Sequence, residues 1–316
     1  MLPEFVEPLG DDLFVIDTGF ERPCFDAAYL VVDSGRAAFI DTGTNHAVPR
    51  LLATLQALDT ALDAVEWVIP THVHLDHAGG AGLLMQSLPR ARLLVHPRGE
   101  RHMIDPSVLY AGATAVYGEA EMARNYGAPV AVDPARVAIT TDGETLTLGT
   151  RLLEFIHTPG HARHHHCIWD ARTRTWFTGD TFGLSYPQLV NHKGRWITPT
   201  CAPVQFEPEP LKASVVRLLE RDPAALCVTH YGRVPYAAHL SRLLLDQIDD
   251  VAAIGERQRH AADRHRALCG ELSALYRRRL SEHGFADVNA AMHWMAMDVE
   301  INAQGLASWL DRASRG

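Results

Sequence analysis

The sequence predicts an α/β fold, a sandwich of sheets flanked by helices and extended at its C-terminal end by helices alone. Three observations predict it. Short apolar runs of strand length alternate with helical stripes over most of the chain. Histidine or aspartate stands at the end of one predicted strand after another, at Asp41, His72 to His77, His161, Asp180 and His230. Beyond Pro235 the strand-like runs give way to helical spacing, which divides the chain into a domain over residues 1–235 and a helical extension over 236–316.

The elements follow in order. Leu13 to Thr18, Ala28 to Asp33 and, after the Ser34-Gly35 turn signal, Ala37 to Ile40 read as an antiparallel opening of strands. The third ends in Asp41-Thr42-Gly43, and His46 to Leu58 then takes helical spacing through Val48, Leu51, Leu52, Leu55 and Leu58. Val65 to Ile69 is the next strand and delivers THVHLDHAGG, Thr71 to Gly80, at its end. Gly82 to Leu88 continues as helix and Leu93 to His96 as a brief strand. Residues 98–129 are helical and irregular, with Tyr110, Tyr117 and Tyr126 among small residues; they suit an insertion walling a pocket or ordinary half-buried tyrosines. Val137 to Thr140 and Thr145 to Leu148 flank Asp142-Gly143 and read as a hairpin. Leu152 to Ile156 leads into His157-Thr158-Pro159-Gly160-His161, and Arg174 to Thr178 into Gly179-Asp180. The proline-rich stretch from Thr181 to Pro210 reads as a long loop, of the kind that forms lids and pocket walls. Leu211 to Leu219 is helical, and Ala225 to Val228 is a strand ending in Thr229-His230-Tyr231-Gly232. In the extension, Leu240, Leu244, Ile248 and Val251 trace one stripe and Leu268, Leu272, Leu275 and Leu280 another, serving as core or as the interface of a homodimer. Asn302 reads as the cap of a short helix carrying Leu306, Trp309 and Leu310.

Composition narrows the function classes. The 316 residues, 47% of them hydrophobic, are ample for a sizeable core. A net charge of -9 argues against a nucleic-acid or anionic-membrane surface. No apolar run approaches the ~20 residues of a membrane span, and no basic segment followed by an apolar one opens the chain. The five cysteines are scattered without CxxC spacing and read as thiols in a reducing compartment. The expectation is a cytoplasmic protein whose partner is a small-molecule substrate, with no nucleic acid and no membrane.

The chemistry concentrates in the strand-end stretch. His72, His74, Asp76 and His77 fall within six residues, and neutral imidazole with ionised carboxylate is a ligand set for zinc or iron. Residues two apart in extended backbone share a face, so His72 and His74 can grip one ion. As the chain turns into helix, Asp76 and His77 can face a second.

Taken together, Asp41-Thr42-Gly43, the HxHxDH of His72 to His77, the Gly160-His161 turn, Gly179-Asp180 and the late His230 resemble the metallo-β-lactamase fold superfamily, over residues ~10 to 235. The resemblance implies a four-layer αββα sandwich. It also implies that His72, His74 and His161 bind one ion, that Asp76, His77 and His230 bind another, and that Asp180 bridges them. Asp76 and Asp180 then serve in catalysis as well as ligation, offsetting part of the charge of two divalent ions; zinc is expected, with iron and manganese as alternatives. Asp41 matches a family position that orients the ligand loops. His165 lies four residues after His161, where relatives such as the glyoxalase II branch carry a structural or ligand-orienting histidine. His96, His157, His164, His166 and His192 have no such match and read as structural.

The bridging aspartate disfavours β-lactam hydrolysis, and the retained His74 speaks against the di-iron oxygen-reacting branch. The full ligand set looks like the glyoxalase II, lactonase and phosphodiesterase branches. In architecture, the helical extension resembles a quinolone-signalling thioesterase group whose C-terminal helices cover the site entrance. The function implied is a dinuclear metal-dependent hydrolase that uses a metal-bridging hydroxide on a thioester, ester or lactone. One alternative is a phosphodiesterase with the same dinuclear site, its phosphate met by Arg163, Lys193, Arg195 or Arg233. The other is a metal-bearing ligand-binding or sensory protein with little turnover. Tyr231 stands where it could serve as acid or oxyanion donor, though a structural tyrosine is the plainer reading.

Overall fold

The computed structural model describes residues 1–203 and 205–314, with all their side chains but that of Val116. It divides into two compact units, and the chain passes between them several times. The first takes Met1–His157, His164–Gly179 and Pro223–Arg233; the second takes Thr158–Arg163, Asp180–Asp222 and the chain from Val234 onward.

Two sheets build the first unit. One runs in the order β1 (Val6–Gly10), β2 (Leu13–Asp17), β3 (Ala27–Asp33), β4 (Arg36–Ile40), β5 (Val65–Ile69), β6 (Arg92–Val95) and β7 (Val137–Ile139). Its pairings are antiparallel as far as β4 and parallel from β4 to β7. Between those parallel strands the chain returns through helix: α1 (Val48–Ala57), then α2 (Leu75–Ala78) and α3 (Ala81–Ser87), then α4 (Glu100–Ile104), α5 (Ser107–Tyr117) and α6 (Glu119–Glu121). The other sheet contains β8 (Thr145–Leu148), β9 (Arg151–His157), β10 (His166–Asp170) and β11 (Thr175–Gly179). The two-residue strands β12 (Val190–Asn191) and β13 (Gly194–Arg195) pair only with each other, and β14 (Ala225–Val228) and β15 (Gly232–Pro235) complete the second sheet in the order β15-β14-β11-β10-β9-β8.

Side-chain alternation explains the layering. One face of the first sheet sends Ile16, Leu30, Phe39 and Leu93 against Leu51, Leu55, Leu84 and Leu88 of its helices. The opposite face sends Val15, Tyr29, Val31, Ala38 and Ile40 against Leu153, Phe155, Ile168 and Phe177 of the second sheet. Strands covered on both faces read as continuous apolar runs, and β10 and β11 are buried at every position.

In the second unit, α7 (Pro208–Leu219), α8 (Ala238–Gln258), α9 (Arg264–His283), α10 (Val288–Trp294) and α11 (Ala296–Ala313) pack with residues 180–207. Both predicted leucine stripes are buried within this single chain, where they serve as core. The predicted 181–210 loop is packed at many of its described residues. Its Leu184, Tyr186, Leu189, Trp196 and Ile197 are buried, and Tyr186 donates to Asp298 Oδ1 at 3.0 Å.

Two local expectations are corrected. Residues 137–148 form no hairpin: β7 pairs with β6 and β8 with β9, so the Asp142-Gly143 turn carries the chain from one sheet to the other. The turn is fastened to β9, where Phe155 O accepts from Gly143 N at 2.7 Å and Asp142 Oδ1 accepts from His157 N at 2.8 Å. Meanwhile the Arg136 guanidinium holds the start of β7 to the carbonyls of Met85, Leu88 and Ala91. Asn302 is no cap but sits inside α11. Its side chain accepts from Cys201 N at 2.6 Å and donates to Pro199 O and to Tyr276 Oη, which satisfies a buried amide through tertiary partners. Strand β1, exposed on most of its length, was not anticipated.

Candidate metal centre

In the first unit the ends of β4, β5 and β14 meet at one carboxylate. Asp41 follows β4 with φ at 55°, a left-handed conformation that aspartate tolerates better than most residues. Its carboxylate accepts from Thr71 N at 2.7 Å, Thr71 Oγ1 at 2.9 Å, Thr229 Oγ1 at 2.8 Å and His77 Nδ1 at 2.9 Å. An ionised carboxylate can only accept, so Nδ1 of His77 carries the proton and Nε2 is the basic nitrogen. That Nε2 lies 3.7 Å from Asp76 Oδ2. His230 is set the same way: Nδ1 donates to Phe25 O at 2.9 Å, and Nε2 lies 3.5 Å from the same Asp76 oxygen. One donor atom each from Asp76, His77 and His230 thus fall within 4.8 Å of one another. Two basic nitrogens around a carboxylate, each ring locked by a hydrogen bond on its far side, are a donor set that fits a divalent ion.

Beside it, His72 Nε2 and His74 Nδ1 face each other at 2.8 Å, a separation that requires a proton or a cation between them. His165, wholly buried, stacks on His72 with centroids 4.8 Å apart, and His164 meets the His74 ring edge-on at 5.5 Å. Gly179 closes this floor. At φ 47° it approaches so near that a β-carbon there would lie 2.5 Å from His165 Nε2 and 2.6 Å from Thr71 Oγ1.

The second unit brings together the other two expected ligands. His161 Nε2 lies 3.4 Å from Asp180 Oδ2, and its Nδ1 is 3.4 Å from Thr200 O. The turn that carries His161 is held to the start of α7: Gly160 O accepts from Glu207 N, and Pro159 O accepts from Ser214 Oγ at 2.7 Å. Gly160, at φ 131°, has Leu211 N only 2.2 Å from where a β-carbon would stand.

The remaining candidates do other work. His166 bonds Pro70 O through Nε2 at 2.9 Å and the Thr140 hydroxyl through Nδ1 at 3.0 Å, and burial pulls it down to about 3. His96 packs on His157 with centroids 4.1 Å apart, and burial lowers it to about 4. Tyr231 is buried, which pushes its hydroxyl well above the ordinary range and makes it a poor proton donor. Each of the four cations proposed for a phosphate has a contact of its own: Arg163 with Glu207, Lys193 with Glu282 O, Arg195 with Ser185 O and Arg233 with Leu9 O. Cys167, Cys201 and Cys227 are buried, and no disulfide occurs among the described residues.

Two features escaped the sequence. Asp26 is fully buried and takes a hydrogen bond from Thr18 Oγ1 at 2.7 Å; burial pushes it up to about 7 against the pull of His230 and His77. It precedes a strand instead of ending one, so the strand-end pattern passes over it. The second is a run of aromatic rings leading away from His230: Phe25 at 5.2 Å, then Phe20, then Tyr126 of the 98–129 insertion, which stacks on Tyr117. Only the tyrosines were noticeable from sequence, and nothing there paired them with residues 20–25.

Face-to-face sheets carrying helices outside, with imidazoles and carboxylates collected at strand ends, define a class of metal-binding proteins. The chain belongs to the metallo-beta-lactamase superfamily, whose family model matches residues 22–230, and it is a metal-dependent hydrolase of that superfamily. Among curated relatives, it is 25% identical over 230 residues to the metallo-beta-lactamase fold-containing protein ST1585 of Sulfurisphaera tokodaii, covering 71% of this chain and 80% of that one. The crystal structure of ST1585 superposes with a TM-score of 0.64 at 20% identity, over 93% of this chain and 97% of that one. It is also 30% identical over 183 residues to an acyl-coenzyme A thioesterase of Gallus gallus, 55% of this chain and 64% of the relative. A hydroxyacylglutathione hydrolase of Maricaulis maris is 30% identical over 172 residues, 53% of each.

Proposed function

We propose that this protein is a dinuclear metal-dependent hydrolase of acyl compounds, with a thioester as the leading substrate class and esters and lactones beside it. The observation that carries the reading is the locked triad of Asp76, His77 and His230 next to the facing nitrogens of His72 and His74. In this reading His72, His74 and His161 hold one ion, Asp76, His77 and His230 the other, and Asp180 both.

Two divalent ions, zinc first among them, would supply a hydroxide nucleophile at neutral pH and polarise the carbonyl it attacks. The chain's own residues do the rest. Asp41 and Phe25 O keep the Nδ1 protons of His77 and His230 on the outer side of the rings, so that both present Nε2 inward. At the far end of the run that begins with Phe25 beside His230, the partly exposed rings of Tyr126 and Tyr117 offer aromatic surface that suits an acyl chain. The names of the thioesterase and hydroxyacylglutathione hydrolase relatives support an acylated thiol. The phosphodiester alternative loses support, because the cations that would meet a phosphate have carbonyl or carboxylate contacts. Five cysteines without a disulfide among the described residues fit a reducing compartment such as the cytoplasm. Among the described residues no helix is long and apolar enough to cross a membrane.

The test is metal analysis of the purified protein together with thioester, ester, lactone and bis(aryl) phosphate assays on the same preparation. Two ions per chain and thioester turnover that vanishes in His72→Ala are expected. Equal rates in wild type and His72→Ala would falsify the reading, and so would turnover of the phosphate alone.

A further inference from the structure

A second group of metal-ligating side chains lies in the helical unit, outside the site described above. His265 and Cys269 are four residues apart on α9, hence on one face and one turn apart, and Glu300 of α11 faces them. His265 Nε2 lies 3.2 Å from Glu300 Oε2; Cys269 Sγ lies 3.6 Å from His265 Nε2 and 3.7 Å from that same Glu300 oxygen.

We propose that His265, Cys269 and Glu300 form a metal site for a zinc-class divalent ion, joining α9 to α11. The separations carry the proposal. Tetrahedral zinc with bonds of about 2.3 Å to sulfur and about 2.0 Å to nitrogen and oxygen places its ligand atoms about 3.5 Å apart for the sulfur pairs and about 3.3 Å for nitrogen with oxygen. The three observed separations match that triangle to a few tenths of an ångström. The ligand types match as well, since thiolate with imidazole and one carboxylate selects zinc or cobalt over magnesium or calcium. Half of the His265 and Glu300 side-chain surface is open to solvent, which gives an ion entry and leaves the fourth position to water or an exogenous donor. The thiolate is the ligating form of cysteine, so binding would release the Cys269 proton to solvent.

Cobalt(II) titration of the full chain tests it, because a cobalt–thiolate bond gives a near-ultraviolet charge-transfer band. No sulfur is among the ligands proposed for the hydrolytic centre, so the band is independent of that reading. With the hydrolytic centre already zinc-loaded, expected are a band that saturates at one equivalent, its loss in Cys269→Ser, and at least tenfold weaker binding in Glu300→Gln. Zinc bound in competition with a chromophoric chelator should fall by one equivalent in Cys269→Ser, while thioester turnover and circular dichroism stay as in wild type. A band absent from wild type, or persisting in Cys269→Ser, would mean that the trio is a hydrogen-bonded surface cluster without metal, and the proposal would be overturned.

Discussion

Two groups of histidines lie near strand ends in the first unit, and they are built differently. Around Asp76, the rings of His77 and His230 each spend one nitrogen on a fixed acceptor and turn the other toward a carboxylate. Around Thr140, the ring of His166 spends both nitrogens, on a hydroxyl and a backbone carbonyl, and His96 packs against His157. The first arrangement keeps basic nitrogens for a cation. The second uses imidazole as a buried polar plug, and burial holds His96 and His166 neutral. The contrast teaches that a cluster of imidazoles becomes a metal centre when carboxylates share the cavity and far-side acceptors fix the tautomers.

The largest expected effect separates the groups outright. His72→Ala should lower thioester turnover by on the order of 10³-fold or more and lose bound metal, because in the proposed function the centre would supply the nucleophile. His166→Ala should keep metal and rate within a few-fold yet lose about 1–3 kcal/mol of stability, since it strands the Pro70 carbonyl. Kinetics, elemental analysis and urea unfolding of both variants give the comparison; equal metal loss in the two would erase it.

Next comes pH. His96 and His166 titrate near 4 and 3 in the folded chain against 6.5 when unfolded. Below 6.5 the unfolded state binds protons that the folded state refuses, so stability falls with pH from about 6.5 towards 3–4 and is insensitive to these groups above about 7. The slope approaches about 1.4 kcal/mol per pH unit for each histidine. Denaturant unfolding of wild type and His96→Gln between pH 7 and 5 should show a shallower loss in the variant; parallel curves would contradict the assignment.

A smaller effect is expected at Asp41. Asp41→Asn keeps a side chain that tolerates the left-handed backbone but removes the charge that holds the His77 proton. Metal affinity should drop about 10- to 100-fold in chelator competition. The smallest lies at the aromatic run. Tyr126→Ala should raise KM for a long acyl thioester about 3- to 10-fold at nearly unchanged kcat, and leave a short acyl substrate unaffected, as for loss of uniform binding.

Much of the candidate centre was legible because its proposed ligands follow strands in sequence. A strand end fixes where the next few side chains emerge, so Asp41, the His72 to His77 stretch and His230 announce themselves one by one. Asp26 did not, for it approaches the centre from a loop ahead of β3. The Val137–Leu148 pattern was misleading for a related reason: alternation and a turn signal locate two strands but not their partners, and Arg136 with Asp142 sends them to different sheets. Asn302 carried a capping signature, yet a buried amide with Cys201, Pro199 and Tyr276 in reach is better satisfied inside the helix.

By itself, then, the sequence determined the family, the alternation of strands and helices, and the metal-ligating types with their spacing, because these depend on periodicities and short-range geometry. Tertiary structure alone decided which nitrogen of His77 and His230 carries the proton, which aromatic rings flank His230, and that His265 and Cys269 meet Glu300 from another helix. Each of those depends on groups far apart in the chain, and only packing brings them within hydrogen-bond or ring-contact distance.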